Sequence, residues 1–458
     1  MNATETIVRT INPIDNQVLK EYSLETWDEV KAKLEQSEAA FHQWKRQSYA
    51  QRAAFFVKTA EILEANKGSY AKQMTLEMGK PITQAVSEIE KCALVCRFYA
   101  ENADDFLADQ PIKTEFTKSY VTYQPLGTIL QVMPWNFPFW QVFRFAAPAL
   151  MAGNVTILKH ASNVIGCGEL IHQIFEAAGF PKGVFQHVII DSDLVGDILA
   201  QDMVQGVALT GSVPAGKAVG ELAGKNLTEC VLELGGSDPF IVLKDADLPQ
   251  AAKIAVQSRM HNTGQTCISA KRLIVEEAVA DEFMKLLKEE MQQLVVGDPM
   301  DEATRISVMA RMDLAEELQE QVNKSIDMGA IVEFSGGHKK GTNYFYPMLL
   351  SNVKKGMPAY EEELFGPVGV FFVVKNTTEA VALANDSIFG LAATVWSEDE
   401  EKAIAVAHQL EVGAVAINKL MSSDPRIPFG GVKQSGVGRE LGREGILGFV
   451  NKKSVVVK

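Results

Sequence analysis

The chain has 458 residues, which exceeds the roughly 250–300 residues at which a single hydrophobic core stops growing, so we expect two or more domains. Its hydrophobic fraction of 47% and charged fraction of 22% are ordinary for a globular protein. The formal net charge of -14 argues against nucleic-acid binding.

The N-terminal half begins with a helical pattern. Residues 28–110 carry apolar side chains at three- and four-residue spacing, which predicts successive helices. Cys92 and Cys96 fall within this pattern, and with no His or Cys cluster to complete a metal site we interpret them as packed helix cysteines. The five cysteines are an odd, scattered set, which favours reduced thiols in a cytoplasmic protein without a metal.

Residues 128–158 form a long apolar stretch that contains prolines, asparagines and one arginine. A bilayer span needs about 20 apolar residues with few or no charges. We therefore predict buried core for this stretch and no membrane contact. The first residues also lack the apolar segment of a secretory signal.

Strand and helix patterns then alternate, with helices expected near 163–178, 193–202 and 214–224. This alternation predicts an α/β fold with a doubly wound, Rossmann-like parallel sheet. The strand candidates are Val155–Lys159, Val184–Ile190, Gly206–Thr210 and Cys230–Glu233.

A second alternation follows and predicts a second α/β domain beginning near Gly236. Its strand candidates are residues 240–244, 272–277, 368–374, 392–396 and 413–418. The tail at 451–458 is β-prone but has no obvious partner in its own chain. An unpaired terminal strand is an aggregation hazard, so we expect it to extend the sheet of a neighbouring subunit.

A glycine turn links a predicted strand to a predicted helix at Gly211 and Ser212. Serine is a favoured helix cap, and Pro214 suits the first helical turn. Such a turn presents free backbone N–H groups to an anion, typically a phosphate. By itself it is more often plain turn geometry, and it lacks the usual dinucleotide glycine spacing.

Two further residues carry reactive groups. Cys267 follows a glycine-containing turn, and a thiolate at a helix start would have a lowered pKa; a buried structural thiol is the alternative. Glu233 ends a predicted strand, where burial of its carboxylate is costly. It therefore needs either an ion-pair partner or a catalytic role, and its position alone does not choose between them.

Seven motifs occur along the chain in one order: MPWNFP (133–138), LKHAS (158–162), TGSVPAG (210–216), ELGG (233–236), GQTC (264–267), EELFGP (362–367) and PFGGVKQSGVGRE (428–440). Their order and spacing resemble the aldehyde dehydrogenase superfamily over nearly the whole chain, most of all its short bacterial succinate semialdehyde dehydrogenases. The resemblance implies an NAD(P)-binding domain (1–107 and 126–235), a catalytic domain (236–436) and a small β oligomerisation element (108–125 and 437–458).

The resemblance also implies catalytic roles. Cys267 would attack the aldehyde carbonyl, and Asn136 with the Cys267 N–H would stabilise the oxyanion. Glu233 would activate the water that hydrolyses the resulting thioester, and its presence favours a free acid as product. Glu440 would relay protons.

The cofactor is expected to be NADP or NAD. Ser162 stands where NAD-preferring members carry a glutamate that would repel a 2′-phosphate, so we favour NADP, with NAD also accepted. The implied cofactor residues are Trp135 and Lys159 on the adenosine side, Gly211 and Ser212 at the pyrophosphate, Glu363 at the nicotinamide ribose and Phe365 against the nicotinamide.

Substrate choice is expected to depend on Arg144 and Ser423, which would bind a carboxylate on the aldehyde. The position of a second arginine in longer relatives is His261 here, so any second cation would come from elsewhere, for instance Arg426. A structural ion pair is the alternative for Arg144. The rival functions are a lactaldehyde or broad-specificity aldehyde dehydrogenase and a catalytically silent member. The resemblance implies a homodimer or homotetramer.

Overall fold

The computed structural model describes residues 7–458. Its α-helices are α1 (Trp27–Trp44), α2 (Tyr49–Met78), α3 (Ile82–Phe106), α4 (Trp140–Met151), α5 (Ile165–Ala177), α6 (Leu194–Leu199), α7 (Val213–Asn226), α8 (Leu248–Met260), α9 (Ala280–Gln292), α10 (Met312–Asp327), α11 (Pro358–Glu361), α12 (Thr377–Asn385), α13 (Glu400–Ala407) and α14 (Gly442–Leu447).

The strands are β1 (Ile7–Ile11), β2 (Val18–Ser23), β3 (Gln110–Pro111), β4 (Lys118–Pro125), β5 (Thr128–Met133), β6 (Val155–His160), β7 (Phe185–Val188), β8 (Val204–Thr210), β9 (Glu229–Glu233), β10 (Pro239–Val242), β11 (Arg272–Glu276), β12 (Ile331–Phe334), β13 (Gly337–His338), β14 (Phe345–Tyr346), β15 (Met348–Ser351), β16 (Val368–Val374), β17 (Phe389–Gly390), β18 (Ala392–Trp396), β19 (Ala414–Ile417), β20 (Val432–Lys433), β21 (Gly436–Val437) and β22 (Val450–Val457).

The predicted helices of residues 28–110 are confirmed as α1, α2 and α3. Local caps set their ends: Thr26 and Ser48 each form a capping box at the start of α1 and α2. Helix α2 ends at Met78 and is followed by Gly79, whose φ of 73° is left-handed and favours glycine. Cys92 and Cys96 are free thiols buried in α3, as predicted.

A six-stranded sheet has the order β21-β9-β8-β5-β6-β7, and all its strands are parallel except β21. The chain runs from β5 outward through β6 and β7, then crosses to β8 and β9. This topology confirms the predicted doubly wound fold and puts its switch point between β5 and β8. Strand β7 is shorter than the predicted 184–190.

A seven-stranded sheet has the order β12-β15-β16-β11-β10-β18-β19 and is parallel apart from the edge strand β12. Strands β16 and β18 match the predicted 368–374 and 392–396 residue for residue. Both central strands are almost wholly buried, as expected where helices cover the two faces of a parallel sheet.

The apolar stretch at 128–158 forms β5, α4 and β6. Every residue of α4 is buried, so the stretch is core, as predicted from its interruptions. No helix within residues 7–458 is long and apolar enough to cross a membrane.

The C-terminal strand corrects one expectation. Strand β22 pairs antiparallel with β4 of the same chain, from Val450 opposite Pro125 to Val457 opposite Lys118. The prediction that this tail has no partner in its own chain is therefore wrong. Its partner comes from a segment far away in sequence, and short-range patterns do not reveal such pairing. In the three-stranded sheet β22-β4-β3, strand β22 lies at an edge.

Candidate active site

A cavity of about 210 Å³ opens beside Cys267. Helices α3 and α4, the end of α8 and the loop at 420–423 contribute most of its wall. Among the predicted site residues, Cys267, Arg144 and Ser423 line it directly. These three residues come from distant parts of the chain, so the tertiary fold brings them to one cavity.

Cys267 does not lie at a helix start, contrary to the sequence interpretation. Asn262 and Thr263 adopt left-handed backbone with φ of 53° and 54°, and the chain turns through residues 265–270 into strand β11. Burial raises the pKa of the Cys267 thiol to about 11, against the opposing charges of Lys271 and Arg144. Burial therefore outweighs the two cations, and the thiol must lose its proton before its sulfur can act as a nucleophile.

Lys271 forms hydrogen bonds with both the Cys267 loop and Glu363. Its ammonium donates to the Cys267 carbonyl at 2.7 Å and to Glu363 Oε1 at 2.8 Å. The side chain of Lys271 is 2% exposed, so these charge-assisted bonds form away from bulk water. Lys271 was missed by the sequence analysis because nothing in its local pattern marks a buried lysine at the beginning of a strand.

Asn136 reaches the loop that precedes Cys267. Its side-chain amide donates to the Gln265 carbonyl at 3.1 Å, and its own carbonyl accepts from Asn262 Nδ2 at 2.8 Å. The residue is buried. Asn136 is therefore hydrogen-bonded to the loop that leads to Cys267, through the backbone carbonyl two residues before the thiol.

Glu233 is buried at the carboxyl end of β9, with 2% exposure, and within residues 7–458 neither carboxylate oxygen has a hydrogen-bond partner. Burial raises its pKa well above the usual range, and the nearby Glu440 carboxylate adds to the rise while Arg144 and Arg439 oppose it. Gly430 (φ 153°) approaches closely, since a Cβ there would lie 2.5 Å from Glu233 Oε1.

Arg144 and Glu440 form a buried ion pair through Arg144 Nε and Glu440 Oε2. Arg144 Nη2 also lies 3.3 Å from Thr210 Oγ1, and the guanidinium lies over the Phe429 ring. The side chains are 2% and 4% exposed. Arg144 therefore borders the cavity, as expected for a substrate-binding residue, but its charge is already matched by Glu440.

Lys91 is a cavity residue that the sequence analysis missed. Its ammonium donates to Ser423 Oγ at 2.7 Å and lies 4.2 Å from the centre of the Trp140 ring. Burial lowers the pKa of Lys91 to about 8, with the Arg144 charge as the next cause. A signal was present: Lys91 follows Glu88 and precedes Val95 at helical spacing, which places a lysine on the apolar face of α3.

Neither His261 nor Arg426 supplies a second positive charge to the cavity wall. His261 lines the cavity and stacks on Phe137, and burial lowers the His261 pKa to about 4, so the ring is neutral. Arg426 instead pairs with Asp424 at 2.6 Å, with its side chain 75% exposed. The suggestion that Arg426 supplies the second cation is wrong, because a carboxylate two residues away holds it at the surface.

The predicted cofactor residues lie along the carboxyl edge of the six-stranded sheet and on the facing loop of the other sheet. Trp135 follows β5, and its ring meets that of Phe365 edge-on at 5.8 Å. Glu363 packs on Gly235, where a Cβ would lie 2.2 Å from Glu363 Oε2. Trp135, predicted for the adenosine side, therefore contacts the residue predicted for the nicotinamide.

The phosphate and ribose candidates lie farther along the same edge. Ser212 caps the 14-residue helix α7, accepting from the Ala215 N–H at 3.4 Å, with Gly211 before it. Lys159 lies at the end of β6, and burial lowers its pKa. Ser162 is exposed and borders a separate cavity of about 300 Å³. A helix N-terminus beside a topological switch point fits the pyrophosphate of a dinucleotide.

Comparison with known proteins matches this architecture to one family. The aldehyde dehydrogenase family model matches residues 1–455. A Synechocystis sp. protein named probable succinate-semialdehyde dehydrogenase for NADP(+) is 50% identical over 98% of this chain and 99% of its own. An Escherichia coli succinate semialdehyde dehydrogenase named for NAD(P)+ is 44% identical over 97% of each chain.

A solved structure agrees with these sequence relatives. The Streptococcus pyogenes succinic semialdehyde dehydrogenase, in complex with NADP+ as the cofactor, superposes with a TM-score of 0.96 at 36% identity. The match covers 98% of this chain and 99% of that chain. The chain belongs to the aldehyde dehydrogenase family.

Proposed function

We propose that this protein oxidises succinate semialdehyde to succinate, with NADP as the preferred hydride acceptor and NAD as an alternative. The observation that carries this proposal is the cavity beside Cys267, whose wall has one positive charge, on Lys91, that no carboxylate of residues 7–458 pairs with. A cavity with a thiol and an excess positive charge suits an aldehyde that bears a carboxylate. The names of the relatives at 44–50% identity support the same substrate.

In the proposed reaction, the Cys267 thiol releases its proton to water, which Lys271 and Arg144 assist by opposing the rise of its pKa, and the sulfur then bonds to the aldehyde carbon. The carbonyl oxygen becomes negative and is stabilised by the Asn136 amide and the Cys267 N–H. The chemistry that NADP supplies when bound is acceptance of a hydride from the substrate carbon. A thioester on Cys267 is left.

Glu233 then acts as a general base in the proposed hydrolysis. Burial and the Glu440 charge raise the pKa of Glu233, which makes its carboxylate a stronger base than an exposed one. Glu233 takes a proton from water, the hydroxide oxygen bonds to the acyl carbon, and the carbon–sulfur bond breaks to release the acid and a Cys267 thiolate, which regains its proton from solvent. Glu440, whose charge helps to raise the Glu233 pKa, is the proposed next proton acceptor.

We assign the cofactor to the cleft between the two large sheets. The proposed contacts are Gly211 and Ser212 with the pyrophosphate, Lys159 and Ser162 with the adenosine ribose and its 2′-phosphate, Glu363 with the nicotinamide ribose, and Phe365 with Trp135 beside the nicotinamide. The exposed hydroxyl of Ser162 brings no negative charge near a 2′-phosphate, which supports the preference for NADP.

The proposed domains remain those expected from the resemblance: cofactor domain 1–107 and 126–235, of which residues 1–6 lie outside the described part, catalytic domain 236–436, and bridging element 108–125 with 437–458. A homodimer or homotetramer is the proposed assembly. Support comes from β22, an edge strand whose outer backbone groups can pair with another chain. The five free thiols support a cytoplasmic location.

The test is a comparison of initial rates on succinate semialdehyde, butyraldehyde and lactaldehyde, each with NADP and with NAD. We expect kcat/KM to be at least about tenfold higher for succinate semialdehyde, because only that substrate presents a carboxylate. Equal values would favour a broad-specificity enzyme, and higher values with lactaldehyde would favour that rival. Absence of turnover with every aldehyde would support the catalytically silent alternative, which the presence of Cys267, Glu233 and Asn136 argues against.

A further inference from the structure

The charges on the cavity wall are balanced with one exception. Glu88 pairs with Lys80 and accepts the N–H groups of Phe139 and Trp140, each at 2.9 Å. Arg144 pairs with Glu440. Among the charged residues that line the cavity, this leaves only Lys91 without an ion-pair partner in residues 7–458.

The contacts of Lys91 hold it in place without neutralising it. An ammonium has three donors, and the hydrogen bond to Ser423 Oγ uses one of them. Because the Ser423 hydroxyl accepts this bond, its own proton is free to be donated elsewhere. The Trp140 ring attracts the ammonium but carries no charge. Lys91 and Ser423 therefore present adjacent, unused donors at one side of the cavity.

We propose that Lys91, together with Ser423, binds the carboxylate of the substrate and is the main determinant of specificity for an acidic aldehyde. This inference rests on the proposed function. A carboxylate has two oxygens that accept charge-assisted hydrogen bonds, one from the ammonium and one from the hydroxyl. Arg144 contributes less to this binding, because Glu440 already matches its charge.

The pH dependence of substrate binding offers a readout specific to this role. The groups that act on Lys91 are Arg144 from α4, Glu88 and Cys92 from its own helix, and Asp424 from the loop after Ser423. The neighbouring His261 stays neutral above about pH 4. With a pKa of about 8, Lys91 loses its proton as the pH rises through that value. The KM for succinate semialdehyde should rise there, while the KM for butyraldehyde should not.

The experiment measures kcat and KM with NADP for Lys91→Met and Lys91→Arg, on succinate semialdehyde and on butyraldehyde. For Lys91→Met we expect KM for succinate semialdehyde to rise roughly 10- to 100-fold, the size expected for loss of a hydrogen bond to a charged group, and kcat to change little. Lys91→Arg should restore most of the affinity and remove the rise of KM near pH 8, because arginine stays charged.

The matched control is Lys72→Met, which replaces an exposed lysine on α2. This variant should leave kcat and KM unchanged for both aldehydes. Ser423→Ala is a second, milder variant that tests the same site if Lys91→Met does not fold. Equal loss on both aldehydes, or none, in Lys91→Met and Ser423→Ala would overturn the inference. Lack of preference in the unmodified enzyme would instead refute the proposed function, so the two failures are distinguishable.

Discussion

Two regions of the cavity each hold a cation, and they differ in what surrounds it. On the α4 side, Arg144 is paired with Glu440 next to the unpartnered carboxyl of Glu233. On the α3 side, Lys91 donates to the neutral Ser423 hydroxyl and lies over the Trp140 ring, and it forms no ion pair within residues 7–458. On the proposed assignment, the position of a cation on a cavity wall does not by itself make it a ligand for an anion. Its charge must also be left unmatched by the protein.

Desolvation explains why the two cations are arranged differently. Arg144 is almost fully buried, where an unpaired charge would cost several kcal/mol, so a carboxylate beside it is required. Lys91 keeps partial exposure to the cavity, and this lets it remain without an ion-pair partner. The α4 side should therefore act on the chemical steps, and the α3 side on the binding of one class of aldehyde.

Cys267→Ala should have the largest effect, because Cys267 serves the chemistry of every substrate. We expect turnover of succinate semialdehyde and butyraldehyde to fall at least about 10⁴-fold, since the variant lacks the sulfur to which the substrate carbon bonds. Binding of NADPH, measured by its fluorescence, should be retained. Turnover surviving in this variant would rule out a thioester on Cys267.

Glu233→Gln should slow hydrolysis of the thioester without slowing the oxidation step that forms it. We expect a burst of NADPH to persist while the steady-state rate falls about 10²- to 10⁴-fold on either aldehyde, because the amide cannot accept a proton from water. The Glu233 pKa is raised, so the steady rate of the unmodified enzyme should fall as the pH is lowered through that raised value. An unchanged steady rate in the variant would remove Glu233 as the base.

Arg144→Met tests directly whether the α4 side acts on the chemical steps and the α3 side on substrate binding. The substitution leaves Glu440 and Glu233 buried without their cation, so we expect a loss of about 3–5 kcal/mol in the free energy of unfolding. The kcat should fall by a similar factor on succinate semialdehyde and on butyraldehyde. The double variant Arg144→Met/Glu440→Gln should recover stability in guanidinium unfolding.

Selective loss of succinate semialdehyde oxidation in Arg144→Met would contradict the separate roles proposed for the α4 and α3 sides of the cavity. It would show that Arg144 binds the substrate carboxylate, as the sequence resemblance implies, and that the Glu440 pair opens when substrate enters.

Ser162→Glu should have the smallest effect. Residue 162 lies outside the cavity beside Cys267, so the substitution should alter only the preference between NADP and NAD. A carboxylate there would repel a 2′-phosphate, so we expect the ratio of kcat/KM with NADP to that with NAD to fall about tenfold. Ser162→Ala is the matched control and should keep the preference for NADP. An unchanged ratio in Ser162→Glu would mean that the 2′-phosphate binds elsewhere.

The sequence by itself determined the α/β fold, because alternation of strand and helix patterns is a local property. Strands β16 and β18 and helices α1 to α3 appear where their patterns predict them, and Ser212 caps α7 as expected. The motif order also identified the family, and it pointed to the residues that now lie around the cavity and the cleft.

Only the tertiary structure decided how those residues are surrounded. It placed Cys267 in a half-buried turn with a raised pKa, paired Arg144 with Glu440 and brought Lys91 next to Ser423. Each of these outcomes depends on contacts between segments that are distant in sequence. Helix and strand patterns report which face of an element is buried, but the charge that a side chain meets there depends on which element packs against it.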